Sequence, residues 1–260
     1  MINSGEKNEA LLKLKLIDLR DSRQQILLNG TPTIVSSVGF NSEYGSLPVG
    51  TDLRFVYNQA YNGNLAPLDQ LVNMTNARKA GAFDKADVFI NHVGYSVKSL
   101  QEAPPAIVNH TPRFGWYRIC NQLGININEL DAMIDDYWNK RINGDIMEDI
   151  SNNDPNSPFK NHLDYLRPLL NYFLFTGTGQ KDSPNPASYI LEFTDPLDPS
   201  TWFVHGYEYL NSHWNDLVFS VRHKGFNENI KNEAKRAINL KWARYFQGMY
   251  KGSLHVRFRG

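Results

Sequence analysis

Asp87 and Lys98 close the ends of a short run, Asp87-Val88-Phe89-Ile90-Asn91-His92-Val93-Gly94-Tyr95-Ser96-Val97-Lys98, whose residue types suit metal-assisted hydrolysis of a phosphodiester. A carboxylate such as Asp87 can hold Mg2+, and the carbonyl of Val97 can supply a second oxygen; Mg2+ keeps several waters, so a sparse protein shell suffices. The bound ion polarises the phosphate and acidifies a water, which Lys98 can orient, or Lys98 can stabilise charge developing on the phosphate. The expected catalytic set is Asp87, Ser96 and Lys98, with Asp87 and Val97 on the metal.

That chemistry requires the groups to meet. Apolar and polar residues alternate at period two, which predicts two strands joined at a turn near Gly94. Val88 and Ile90 then share a core face with Tyr95, Val97 and Ser99, while Asp87, Phe89 and Asn91 share the other with Ser96 and Lys98. The arrangement holds only for a loop with an even number of residues, because a one-residue slip flips a strand. A two- or four-residue turn around Val93-Gly94 meets that condition. A surface hairpin with solvated Asp87 and Lys98 explains the same spacing without chemistry.

Cations flank the run. Arg78, Lys79 and Lys85, with Gly81, would bring positive charge and close backbone approach to the scissile phosphate; capping of a helix over residues 65–80 explains Arg78, Lys79 and Gly81 equally well. Downstream, three prolines stiffen residues 102–113, mounting Asn109, His110, Thr111 and Arg113, side chains that read base edges or grip phosphate. From this loop Asn109, His110 and Arg113 are the expected DNA contacts. Glu9, on an amphipathic helix over residues 5–28, could reach the same site, and the loop residues Asn41, Ser42, Glu43 and Tyr44 could meet a ligand.

The remaining pattern fills in an α/β chain. Residues 31–38, 52–57, 189–193, 202–205, 217–221, 243–246 and 254–258 read as strands. Helices are expected over 115–123, from Asn128 onward, over 162–175 and over 227–238. Asp131, Asp135 and Asp136 fall opposite the apolar stripe of the second of these and read as solvated. Gly177-Thr178-Gly179-Gln180-Lys181 fails the phosphate-loop spacing, and the seven histidines show no metal-ligand spacing.

The 260 residues, 41% hydrophobic, suffice for one large domain, and no internal repeat or long linker divides them, so a single domain over 1–260 is expected. A lone cysteine, Cys120, excludes an intramolecular disulfide and a cysteine-based zinc site. With no long apolar run and no apolar leader, the chain is expected to be soluble and cytoplasmic, without a membrane partner. Net charge is zero but unevenly spread: residues 221–260 hold ten Lys or Arg against two acids, and residues 129–154 hold eight acids against two bases. A basic side and an acidic side would let the molecule grip a polyanion on one face.

Lys79-Ala80-Gly81, Asp87 through Lys98-Ser99, the 109–113 segment, Ile238-Asn239-Leu240-Lys241-Trp242 and the closing Leu254-His255-Val256-Arg257-Phe258-Arg259-Gly260 together resemble PD-(D/E)xK type II restriction endonucleases of the MspI-like group. Asp87 stands at the first acid, Ser96 at the second-acid position and Lys98 at the lysine; Ala86 replaces the proline. In such enzymes the second acid can be a neutral polar residue. The resemblance covers roughly the last two thirds of the chain. It implies a mixed central sheet flanked by helices, in a restriction-endonuclease-like fold, and Mg2+-dependent cleavage of double-stranded DNA at a short specific sequence. It also implies a monomer or homodimer and a cognate DNA methyltransferase that shares the site without stable binding. The alternative is a sequence-specific DNA-binding protein whose nuclease site has decayed, since Ser96 replaces an acid.

Overall fold

A computed structural model describes residues 6–101 and 106–259. The chain divides into two compact units, one of residues 1–103 with 183–206, the other of 104–182 with 207–260. The first unit opens with α1 (Lys7–Ser22), β1 (Gln25–Leu28), β2 (Thr31–Ile34), β3 (Val38–Phe40), β4 (Ser42–Glu43), α2 (Leu53–Tyr61), α3 (Ala66–Thr75), β5 (Val88–Ile90) and β6 (Val93–Ser99). The second takes β7 (Ala106–Pro112), α4 (Arg113–Leu123), α5 (Asn128–Asn143), β8 (Ile150–Ser151) and α6 (Leu163–Asn171). The chain returns to the first unit for β9 (Tyr189–Phe193) and β10 (Trp202–His205). It ends in the second with α7 (Tyr209–His213), β11 (Leu217–Arg222), α8 (Glu233–Leu240), β12 (Arg244–Phe246), β13 (Met249–Lys251) and β14 (Ser253–Phe258).

The first unit is built on a six-stranded mixed sheet of order β10-β9-β6-β5-β3-β4, in which β6 and β9 run parallel and the other pairs antiparallel. One face is apolar: Val38, Val88, Ile90, Val97, Leu191 and Phe193 join the leucines of α1 in a single core. Six apolar side chains of α1, from Leu11 to Leu19, are at most 1% exposed, so α1 is buried on more than the one side expected. It ends at Ser22 rather than near 28, with Arg23 in the left-handed region, because residues 25–28 pair with 31–34 across Asn29-Gly30. Positive φ at both Asn29 and Gly30 suits the twist of a two-residue hairpin. Residues 52–57, expected as a strand, start α2 instead; the carboxylate of Asp52 accepts the Phe55 N–H at 3.0 Å and caps it.

The second unit centres on an antiparallel sheet of order β7-β14-β11-β8. Aromatic side chains fill its interior, Phe159 stacking on Phe219 at 4.3 Å and Trp116 tilting against Phe173 at 4.8 Å. The coarse expectation of an α/β chain with mixed sheet and helices therefore holds. Among the described residues no helix is long and apolar enough to cross a membrane.

Charge separated along the sequence recombines in this unit. Arg222 pairs with Glu148 and Asp149, Arg257 with Asp149, Lys251 with Glu148 and Arg244 with Asp135. Burial pushes the Asp149 carboxyl up, but Arg222 and Arg257 more than offset it and hold it below the ordinary carboxylate range. The acidic and basic segments thus neutralise each other in part, instead of forming the two separate sides their sequence suggested.

Candidate functional site

The hairpin of β5 and β6 closes on a two-residue turn, Asn91-His92, with φ of 50° and 67°. Asparagine tolerates this left-handed backbone, and its Oδ1 accepts from Ser36 N at 2.8 Å and Ser37 N at 3.1 Å, pinning the turn to the start of β3. The turn lies just before the Val93-Gly94 position expected. The loop length is still even, so Ile90 faces Val93, Phe89 faces Gly94 and Val88 faces Tyr95. Continuing that register sets Asp87 against Ser96, with Lys98 two residues on along the same face.

At Asp87 the strand leaves the ladder. Its N–H goes to the Tyr95 carbonyl at 2.7 Å, while the N–H groups of Lys85 and Ala86 turn to the Asn185 carbonyl, both at 3.0 Å. The Val97 N–H would then lack a backbone acceptor on that side; Asp87 Oδ2 takes it at 2.7 Å, and the Ser96 hydroxyl lies 3.3 Å from the same oxygen. One carboxylate oxygen is therefore spent on anchoring the acid to β6. Asp87 Oδ1 makes no hydrogen bond among the described residues. The Val97 carbonyl points to the same strand edge as the Val97 N–H that Asp87 holds, so it is the backbone oxygen on the side of the acid. Among the described residues no group of three His, Cys, Asp or Glu can hold a metal ion. A hard ion would rest on one carboxylate, one carbonyl and waters, a shell Mg2+ accepts.

Lys85 and Lys98 are both half-buried, and neither ammonium has a hydrogen bond or ion pair among the described residues. Burial pushes the Lys85 amine down to about 8, the charge of Lys98 pushes the same way, and Asp87 pulls against them. These two cations flank the Asp87 carboxylate on the chain and in the hairpin register. The folded Lys85 amine loses its proton near pH 8, whereas the unfolded one keeps it to about 10.5, so its folding penalty is present below pH 8 and is relieved as pH climbs through that window. An anion held by Lys85 should accordingly bind less tightly as pH rises past about 8. Titrating duplex DNA against wild type and Lys85→Arg by fluorescence anisotropy between pH 7 and about 9.5 checks this, since the guanidinium keeps its charge and should flatten the curve.

Two further carboxylates belong to the neighbourhood. Glu9 projects from α1, and its Oε1 takes Lys13 Nζ at 2.6 Å; that amine, on a side chain only 1% exposed, also donates to the Arg78 carbonyl at 3.0 Å. Burial raises the Glu9 carboxyl above its ordinary range against the pull of Lys13, and the charge of Asp87 adds to the rise. Burial likewise raises the Tyr44 phenol, helped by Glu9 and Asp87. Glu192, which sequence reading missed, is paired in register with Lys98 and so shares its face. It is 6% exposed, and His205 Nε2 lies 3.1 Å from its Oε2. The strand at 189–193 was legible, but only its parallel pairing with β6 brings Glu192 to the site.

The expected DNA contacts fare differently. Helix α3 stops at Thr75 on a left-handed Asn76, so Arg78 and Lys79 lie beyond it and do not cap it. Arg78 is exposed, with no partner for its guanidinium among the described residues. Lys79 is exposed and pairs with Glu6 at 2.8 Å, a contact that raises its amine. In the second unit, residues 109–112 belong to β7 instead of a stiff loop, and residues 102–105, where two of the three prolines fall, lie outside the described residues. Asn109 is exposed. His110, at φ 46°, sits where the β7–β14 register shifts, its ring stacked 4.3 Å from that of His255. Burial, then His255, Lys224 and Arg222, push the His110 imidazole down to about 4, so it is neutral at pH 7 and offers no charge to a phosphate. Arg113, expected to reach DNA, is 3% exposed and bound through two nitrogens to Asp131, at 2.7 and 2.6 Å. Asp131, expected to be solvated, is instead half-buried and committed to this pair.

No protein-family model matches the chain, and no curated protein or solved structure matches it significantly.

Proposed function

We propose that the chain is a Mg2+-dependent endonuclease of the PD-(D/E)xK type II restriction kind, cutting double-stranded DNA at a short specific sequence. The observation that carries this reading is Asp87 anchored through one oxygen and open through the other, beside the unpaired amines of Lys85 and Lys98. Asp87 Oδ1 and the Val97 carbonyl are the groups that would hold Mg2+, which when bound supplies Lewis acidity at the phosphate and lowers the pKa of its water. Lys98 holds positive charge where the phosphate gains negative charge, or orients the attacking water. Lys85 adds a cation whose protonation is sensitive near pH 8. Ser96 keeps Asp87 in place rather than acting as a second acid, as its 3.3 Å contact favours.

The buried, neutral Ser96 also favours a second reading, a sequence-specific DNA-binding protein with a decayed site. Incubating the protein with plasmid and Mg2+ separates the two. Discrete fragments are the expected result, and retarded but intact DNA would support the second reading. A cognate methyltransferase would modify the same sequence without stable association, and the chain would act as a monomer or homodimer.

A further inference from the structure

The cations near the end of the chain sort by where they sit. Those on strands, Arg222, Arg244, Lys251 and Arg257, find carboxylates within the second unit. Lys224, Lys231, Lys235, Arg236 and Lys241, between β11 and β12, have no ion pair among the described residues. The same stretch holds two acids, Glu228 and Glu233, which are also without a partner there. Of residues 223–250 only Phe226, Asn239, Trp242 and Ala243 are buried, so the stretch is a surface layer, and each of the five cations except Lys235 is exposed.

At the end of that layer β12 and β13 form a two-stranded ribbon. Gln247-Gly248, at φ 52° and 82°, make its two-residue turn, and a Cβ at Gly248 would meet nothing within 4 Å, so the tip stands clear of the protein. One face ties the ribbon to α5: Phe246 tilts against Trp138 at 6.1 Å, and Arg244 pairs with Asp135. The register puts Tyr245 opposite Tyr250 on the other face, ring centroids 5.2 Å apart and 66% and 39% exposed. Neither phenol hydroxyl has a partner among the described residues. The cations adjoin this ribbon on two sides. Helix α8 runs straight into it, the Trp242 and Ala243 N–H groups still donating to the Asn239 and Leu240 carbonyls at 3.3 and 3.2 Å. The loop that carries Lys224 packs at its base, with His223 Nδ1 2.9 Å from the Tyr250 carbonyl oxygen.

We propose that α8 and the β12–β13 ribbon form a docking surface for double-stranded DNA on the second unit. Exposed cations without internal partners repel one another, and a polyanion relieves that repulsion. A phosphate backbone does so while releasing its own counterions. An acidic protein would satisfy the charge alone; the free-standing ribbon among the cations is what favours a grooved partner, because a major groove admits two strands and tyrosine hydroxyls donate to phosphate oxygens. The inference rests on the reading of the chain as an enzyme of duplex DNA and adds to it a grip carried by the second unit.

Fluorescence anisotropy of a short labelled duplex, titrated at several salt concentrations, tests the grip without needing the recognition sequence. The triple variant Lys231→Gln, Arg236→Gln, Lys241→Gln removes exposed side chains that no other group depends on, and its urea midpoint should match that of wild type. Its slope of log K against log [salt] should be shallower by about two to three, one for each lost phosphate contact, and its affinity at low salt at least ~10-fold weaker. Tyr245→Phe should weaken binding by about three- to tenfold, the scale of one neutral hydrogen bond, at an unchanged slope, since a neutral donor displaces no counterion. Asp87→Asn should bind as wild type does. Polyglutamate, an anion without grooves, should compete poorly. An unchanged slope in the triple variant, wild-type binding by Tyr245→Phe, or competition by polyglutamate equal to that of duplex would overturn the proposal. The Mg2+ plasmid digest runs alongside: cutting by wild type and triple variant alike, with equal affinity, removes only the grip, and grip-dependent binding without cutting removes only the nuclease.

Discussion

Replacing Asp87 with asparagine or alanine is expected to lower Mg2+-dependent plasmid cleavage by at least ~10²–10³-fold, the scale of one lost electrostatic contributor, with duplex binding retained. The two substitutions should part in stability. Asparagine keeps an oxygen for the Val97 N–H, which Asp87 Oδ2 now holds at 2.7 Å, and so should preserve the hairpin while losing the charge that binds the ion. Alanine leaves that N–H unpaired inside the sheet, a cost of about 1–3 kcal/mol in urea unfolding. Lys98→Ala should show a comparable loss of cleavage with little change in stability, because its ammonium has no partner to abandon. Wild-type cutting by both Asp87→Asn and Lys98→Ala would remove the assignment. Equal stability of the two Asp87 variants would show that the Val97 contact contributes little.

What the sequence carried, and what it did not, follows from the range of the interactions. The β5–β6 hairpin was legible because period-two alternation reports which face each residue takes, and an even loop preserves those faces whether it sits at 91–92 or 93–94. The open oxygen of Asp87 was not legible, since it depends on the chain leaving the ladder for Asn185, nearly a hundred residues away. Glu192 was hidden for the same reason: a parallel partner comes from a distant segment, and local pattern says nothing of its register. At Asn29-Gly30 a hairpin-turn signal read as a helix end, because leucines at 27 and 28 extend the apolar pattern of α1. Residues 52–57 misled in the opposite sense, their aromatic and β-branched content outvoted by the Asp52 cap. Block charge also proved a poor guide, since Arg222 and Asp149 lie far apart in sequence yet pair in space.

Arg113→Ala is expected to destabilise the protein and, under the proposed function, to leave duplex binding as it is in wild type. The guanidinium is the first side chain of α4, 3% exposed, and both of its bonds go to Asp131 in α5. The same carboxylate takes Trp242 Nε1–H at 2.6 Å, so three segments of the second unit meet on one acid. Removing the cation leaves Asp131 with a charge that water reaches only in part. Breaking such a pair from one side costs about 3–5 kcal/mol, and the 21% exposure of Asp131 argues for the lower end. Arg113→Lys should recover only part of the loss, because a single ammonium cannot make two parallel bonds to a carboxylate. Urea unfolding measures this directly, with a lower midpoint expected at unchanged slope. Salt dependence of duplex binding supplies the contrast: a phosphate contact at Arg113 would reduce the slope of log K against log [salt] by about one and leave stability alone. A buried ion pair predicts the reverse on both measurements, so one variant decides which work this arginine performs.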